Sequence, residues 1–389
     1  MSHTPTDFLK VANLTADHFG FRTADQIKKA PECRTCEKKA PHTVTGTNKR
    51  TDSHQGLLSA GIATYCDEKL YAIEGPVLMY TTHQVPRTGE SAVSFHVFNV
   101  QRSIAEAILI QVARGVASDL GYSDHTVRIN SQGCNESVTR YSRELGNYLR
   151  KRIDTMPSAA RELMKEHPML ALQNLLDDKH ELGHSSPNAL EYLSDGSRKH
   201  FREIIEFLDM SDTPYEIDSK MMGHHECYSD AMFSLDINMA DDQPAPISAR
   251  GGRFDEFVGR NTGERTPAAG LVITLNNSKA PARNPRTKAA KPSVYVVQLG
   301  FGPKVRSLLL VDALRKAGIP VLHDLTSDSL STQLRDAEAR GVNYTVIVGQ
   351  KEYVEGTVIL RDMNARNQEY VSQDTLIKKL KRRAGVVMM

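Results

Sequence analysis

Val294-Tyr-Val-Val-Gln-Leu-Gly300 is a continuous apolar run closed by glycine, and the residues after it decide the fold of this end of the chain. A helix-period segment follows, in which Val305, Leu308, Leu309, Val311 and Leu314 lead to Ala317. Gly318 and Pro320 then supply the glycine and trailing proline that end helices. Next come a second strand at Val321-Leu322, a second helix near Leu330–Arg340, a third strand at Tyr344-Thr-Val-Ile-Val-Gly349 and a fourth at Thr357-Val-Ile-Leu360. Strands alternating with helices at this spacing predict a mostly parallel sheet with right-handed crossovers. Residues 294–383 therefore read as a complete small α/β module.

Immediately upstream, residues 276–293 (Asn-Asn-Ser-Lys-Ala-Pro-Ala-Arg-Asn-Pro-Arg-Thr-Lys-Ala-Ala-Lys-Pro-Ser) carry five positive charges and no acid. Pro, Ala and Lys in this proportion predict a linker. Residues 294–389 hold fourteen Lys and Arg against ten Asp and Glu. The whole chain is only +2, so its basic character is concentrated at the C-terminal end. A phosphate backbone selects such a surface; a solvated linker and solvated face would look the same.

Before the linker the pattern changes. Residues 7–30 suggest an amphipathic helix and a short strand; 31–55 are polar and loop-like; 56–66 form a short apolar helix. Strand signals follow at Leu70–Leu78 and Ala92–Val100, then a strong helix over Ser103–Leu120 and a strand at Val127–Asn130. Residues 135–210 are almost all helix pattern, broken at Pro157, Pro168 and Pro187, and strands return at Met232–Ile237 and Leu271–Leu275. The expected organisation is an α+β core over 1–275 with a helical insertion near 135–215, a linker over 276–293, and the α/β module over 294–389. At 389 residues the chain is long enough for two or three domains with a large core. No run approaches ~18 apolar residues, so no transmembrane helix is expected. The N-terminus has no basic and apolar leader, and the five cysteines imply no disulfide framework, which together predict a cytoplasmic protein.

Several stretches carry a family likeness. Leu314-Arg-Lys-Ala-Gly-Ile-Pro-Val321, Val348-Gly-Gln-Lys-Glu352 and Gly356-Thr-Val-Ile-Leu-Arg-Asp362 resemble the anticodon-binding module of class II histidyl-tRNA synthetases. Leu70-Tyr-Ala-Ile-Glu-Gly-Pro-Val77 is similar to the strand leading into their motif 2, and Val127-Arg-Ile-Asn-Ser-Gln-Gly-Cys134 to the strand before their inserted helices. Ala249-Arg-Gly-Gly-Arg-Phe-Asp255 resembles their Gly-Gly-Arg-Tyr-Asp hairpin, and Thr266–Leu275 stands where motif 3 belongs. The resemblance implies a class II synthetase-like antiparallel sheet flanked by helices, followed by an anticodon-binding α/β domain. It also implies a homodimer and a tRNA partner, with tRNA-His the first candidate.

The same alignment shows losses. Adenylation needs arginines, whose planar guanidinium forks pair with phosphate oxygens and stay charged. The resemblance places the motif 2 arginine at Met79 and its accompanying glutamate at Thr81. The closing Gly-Leu-Glu-Arg of motif 3 becomes Thr274-Leu275-Asn276-Asn277, and the Arg-Gly-Leu-Asp-Tyr-Tyr segment becomes Gly223-His-His-Glu-Cys-Tyr228. The Phe-His-Gln stretch reads Phe95-His-Val97, with Gln101 in place of a glutamate. A pseudo-synthetase is expected: no catalytic residues, with Arg87 and Arg253 as residual candidates, and ATP with Mg relevant only to an active enzyme.

Other candidates follow from residue chemistry. Gly251, Gly252, Arg253, His224 and Glu226 form a possible substrate-binding set, the glycines by close backbone approach and Arg253 as an anion anchor. Cys33, Cys36 and His42, with His54 or Cys66, make half of a zinc site or simply a polar loop. Lys279, Arg283, Arg286, Lys288 and Lys291 are the expected phosphate contacts, and Glu352 and Arg361 the expected base contacts. Three functions remain open: a tRNA-binding regulatory or accessory factor, a divergent but active histidine–tRNA ligase, and a protein-interaction subunit derived from a synthetase.

Overall fold

The computed structural model describes residues 3–28, 54–84, 90–223, 227–239, 243–276 and 292–383. Its larger sheet has seven strands: β1 Val77–Gln84, β2 Ser91–Phe98, β3 His125–Gly133, β4 Tyr215–Ile217, β5 Ser229–Ile237, β6 Ile247–Arg253 and β7 Ala268–Leu275. They lie in the order β1-β2-β7-β6-β5-β3-β4. Every neighbouring pair is antiparallel except β3 and β4. The smaller sheet has β8 Val294–Gln298, β9 Val321–His323, β10 Tyr344–Val348, β11 Thr357–Asp362 and β12 Gln368–Ser372, in the order β12-β11-β10-β8-β9.

Among the described residues, the helices of the first part are α1 Pro5–His18, α2 Ala24–Lys28, α3 His54–Asp67, α4 Ile104–Asp119, α5 Asn135–Arg150, α6 Ser158–Glu166, α7 Pro168–Asp177, α8 Glu181–His184, α9 Asp195–Met210 and α10 Asp255–Thr262. With the smaller sheet come α11 Phe301–Lys316, α12 Leu330–Ala339, α13 Gln350–Glu355 and α14 Gln373–Arg383. None is long and apolar enough to cross a membrane. Helices α5 to α9 lie between β3 and β4 in the chain.

Three expectations need correction. The smaller sheet is only half parallel: β8 pairs parallel with β9 and β10, but β11 is antiparallel to both its neighbours. Parallel return needs a crossover of about a dozen residues or more, and the connection through α13 is shorter. The strand expected from Leu70 starts at Val77, because Lys69 and Gly75 adopt positive φ values of 54° and 100° and Leu70–Ala72 coil into a single turn. Among the described residues between α1 and α3 there is no strand, only a one-residue bridge from Arg22 to Met79.

Alternation along the central strands sorts the larger sheet into two faces. Val93, Phe95 and Val97 of β2, Phe233 and Leu235 of β5, and Leu271 and Ile273 of β7 are buried in one apolar core with α1, α4 and α9. The opposite face carries the candidate site.

Candidate functional site

Strand register defines this second face. Val77 and Met79 of β1 stand beside Phe98 and His96 of β2, which stand beside Ala268 and Gly270 of β7. On the other half, Arg250 of β6 neighbours Ser234 of β5, which neighbours Arg128 of β3.

The β1-β2-β7 half is closed. Helix α3 lies on it, and Leu57, Leu58, Ile62 and Tyr65 form a buried cluster with Val77, Met79, Phe98, Phe254 and Val272. The approach is tight enough that a Cβ on Gly61 would fall 2.0 Å from His96 Nε2. Tyr65 stacks on Phe98 at 4.0 Å, and His96 lies parallel to Phe98 at 5.8 Å. Neither ring nitrogen of His96 has a hydrogen-bond partner among the described residues, and burial pushes its pKa down to about 3. His96 is therefore a neutral, apolar-packed ring at neutral pH.

The β3-β5-β6 half is open under the helical insertion and encloses about 490 Å³. Arg128 faces this cavity and pairs with Asp218, with Asp236 3.5 Å away. Lys220 donates to the Ser186 carbonyl at 2.7 Å. Arg250 is exposed on the cavity wall with no carboxylate partner among the described residues. At the rim, His54 and the Tyr228 hydroxyl share a hydrogen bond. Burial, helped by Arg250, pushes His54 down to about 4, and burial pushes Tyr228 well above its ordinary value. Both are neutral at pH 7. Arg250 can thus hold one anionic group beside neutral donors, and Lys220 and Asp177 also line the cavity.

The sequence-derived candidates fare unevenly. Arg253 does not face the cavity. Its side chain is 2% exposed on the other side of the sheet, where Nε donates to Glu106 Oε1 at 2.8 Å and Nη2 to Glu106 Oε2 at 3.0 Å. Further bonds reach Val100 O and Asp255 Oδ1 at 3.1 and 3.3 Å. A guanidinium so fully engaged cannot anchor a ligand. Gly251 and Gly252 are close-approach positions, but toward the protein itself: a Cβ would meet Phe233 at 2.5 Å from Gly251 and Ala231 O at 2.6 Å from Gly252. A Cβ on Gly223 would fall 2.3 Å from the Tyr228 ring, so the backbone there leaves no room for a larger residue. Val97 points into the core, and His96 is the residue of that stretch on the site side. Asn276 Nδ2 donates to Ala245 O at 2.8 Å.

Arg87, His224, Glu226, Cys33, Cys36, His42, Lys279, Arg283, Arg286, Lys288 and Lys291 lie outside the described residues. His54 bonds Tyr228, and burial pushes the Cys66 thiol up to about 11; among the described residues no three His, Cys, Asp or Glu side chains group to hold a metal. Sequence reading passed over Arg128, Asp218, Asp236 and Arg250. For Arg128, Asp236 and Arg250 the available signal was a polar residue at alternate positions of a strand, and Asp218, just past the end of β4, carried none.

In the smaller sheet, Glu352 is 7% exposed and accepts from Gly349 N at 3.1 Å, capping its own helix α13. It is a capping residue, not an available base contact. Glu352→Ala should lower stability by about 0.5–2 kcal/mol in urea melts; no change would refute the capping role. Arg361 is half-buried on β11, between Thr345 of β10 and Gln368 of β12.

Residues 294–383 match the family described as the anticodon binding domain. The chain is 27% identical over 330 residues to the histidine–tRNA ligase of Thermosipho melanesiensis, covering 81% of this chain and 75% of that protein. It is 26% identical over 338 residues to the histidine–tRNA ligase of Desulforamulus reducens, covering 83% and 79%. The solved apo histidyl-tRNA synthetase of S. aureus superposes with a TM-score of 0.47 at 16% identity, covering 83% of this chain and 82% of that one.

Proposed function

We propose that this chain, which belongs to the histidyl-tRNA synthetase family, is a tRNA-binding regulatory or accessory factor that has lost adenylation. The observation that carries the reading is the closed half of the sheet. Where the family's motif 2 arginine would meet a nucleotide, Met79 is fully buried among α3 side chains. The position of the next arginine is Gly223, packed on Tyr228, and Arg253 is committed to Glu106. The described residues do not fit an arginine clamp on ATP–Mg, since of the two arginines lining the cavity Arg128 is neutralised by carboxylates and only Arg250 remains. Losing one such arginine costs roughly 10²–10³ in rate, and losing several removes useful turnover.

Support for tRNA comes from the anticodon-binding match and from the basic residues Lys279, Arg283, Arg286, Lys288 and Lys291 just before it. A homodimer is part of the same reading.

Two assays on purified protein test it. Histidine-dependent ATP–pyrophosphate exchange should be at background, at least about 10⁴ below a working ligase. Binding of tRNA should weaken steeply with salt, with a log–log slope of several units that falls when the five linker cations are neutralised. Robust exchange would establish an active ligase instead, and salt-independent or absent tRNA binding would remove the accessory role.

A further inference from the structure

The two sheets' helices meet along a seam of α4 and α11. Asp119 of α4 pairs with Arg315 of α11, and Arg315 Nε also donates to Asp312 Oδ1 at 3.0 Å. Beside these pairs is a cavity of about 240 Å³, well away from the sheet face described above and lined by Gln111, Arg114, Ser118, Asp312, Arg315 and Lys316, among others.

We propose that this seam cavity binds a small tetrahedral oxyanion of the inorganic phosphate class, held by Arg114, Arg315 and Lys316. The charges do not otherwise balance. Three cations face two carboxylates, and both carboxylates are already engaged: Asp312 by Arg315 and by Lys316 at 2.9 Å, Asp119 by Arg315. Arg114 makes no salt bridge among the described residues, and Asp312, whose charge acts on it, is already held by Arg315 and Lys316. Arg114 Nη1 donates to Gln111 Oε1 at 3.1 Å and its Nε to His125 Nε2 at 3.3 Å. His125 can accept because its Nδ1 donates to Tyr122 O at 3.1 Å, which fixes the neutral tautomer. This chain of bonds holds the guanidinium at the cavity while supplying no negative charge.

Arg315 adds a second sign. Its side chain is only 9% exposed, and the buried Nη2 makes no hydrogen bond even though Asp312 Oδ1 is 3.0 Å away, which leaves a poorly aligned ion pair. Nη2 itself is shut away from the cavity, but the Arg315 side chain lines it, so its charge acts on an anion there. Of the other titratable groups nearby, burial pushes His18 down to about 4 and His125 below its ordinary value, so both imidazoles are neutral at pH 7, and the Asp124 carboxylate, which acts on His125, accepts from Asn238 Nδ2 at 2.7 Å. A space of 240 Å³ suits one hydrated oxyanion and is small for a nucleotide. An anion here would bridge α4 to α11 and so join the two sheets.

Titration of inorganic phosphate into the full-length protein, by calorimetry at constant ionic strength balanced with chloride, tests the site. Saturable binding is expected, with displacement by sulfate. Arg114→Gln should weaken it about tenfold or more, and Arg114→Lys less. Lys316→Gln, at an exposed position that should not disturb folding, should also weaken it, by several-fold. Phosphate should raise Tm in the wild type and not in Arg114→Gln. The proposal is overturned if wild-type protein shows no saturable phosphate binding, or if Arg114→Gln and Lys316→Gln both bind as tightly as wild type.

Discussion

Arg253→Met lowers the stability of the protein by about 3–5 kcal/mol, because it strands a buried carboxylate. Glu106 is fully buried on α4 and takes two bonds from Arg253 and one from His200 Nε2 at 2.8 Å. Removing the guanidinium leaves that charge with a weaker partner in a medium that solvates it poorly. Urea melts at pH 7 should show the loss as a lower midpoint at unchanged slope. Arg253→Lys should recover only part, since an ammonium cannot reproduce the two-pronged contact. The pH dependence gives an independent readout. Burial pushes the Glu106 carboxyl up, but Arg253 and His200 outweigh it and hold the group at about 2, against an ordinary 4.5. A carboxylate held below its ordinary value stabilises the fold fully above pH 4.5, and that contribution is lost as pH falls toward 2. Without Arg253 the carboxyl titrates higher, so acid unfolding of the variant begins at a higher pH. A variant within about 1 kcal/mol of wild type, with the same acid limb, would contradict the ion pair as the centre of this core.

The second large effect is expected from restoring an arginine at the family's motif 2 position. Met79→Arg should cost about 3–5 kcal/mol and should not bring back ATP–pyrophosphate exchange. Met79 is 0% exposed and shares its cluster with Leu57, Leu58 and Ile62. Its neighbour on β2 is His96, a neutral ring that offers no counter-charge. The new guanidinium must be buried unpaired or must lever α3 off the sheet. Met79→Leu is the control, a near-isosteric exchange that should cost less than about 1.5 kcal/mol. If Met79→Arg keeps wild-type stability and gains histidine-dependent exchange, α3 is a movable cover over a working site and the non-catalytic reading fails.

The two predictions concern residues that sequence reading treated alike, as arginine positions kept or lost near a nucleotide. Residue type and spacing were sufficient to see that Met79, Gly223 and Asn277 cannot supply cations. They could not show where Arg253 points. Strand alternation places Arg253 on one face or the other only once the register of β5, β6 and β7 is known, and β5 carries a shift between Ser229 and Met232. Glu352 is similar: a Gly-x-x-Glu spacing is visible in the chain, but whether the acid caps its own helix or faces a partner depends on how α13 sits.

By itself the sequence determined where most of the long helices lie, the α/β character of the C-terminal module, the basic C-terminal end and the family resemblance, because periodicity, turn residues and charge are local properties written along the chain. Only the tertiary structure decided that α3 seals one half of the sheet, that Arg253 belongs to Glu106, and that Arg128, Asp236 and Arg250 share a cavity wall. Those facts depend on contacts between residues far apart in sequence, and such contacts are set by register and packing, which no local pattern encodes.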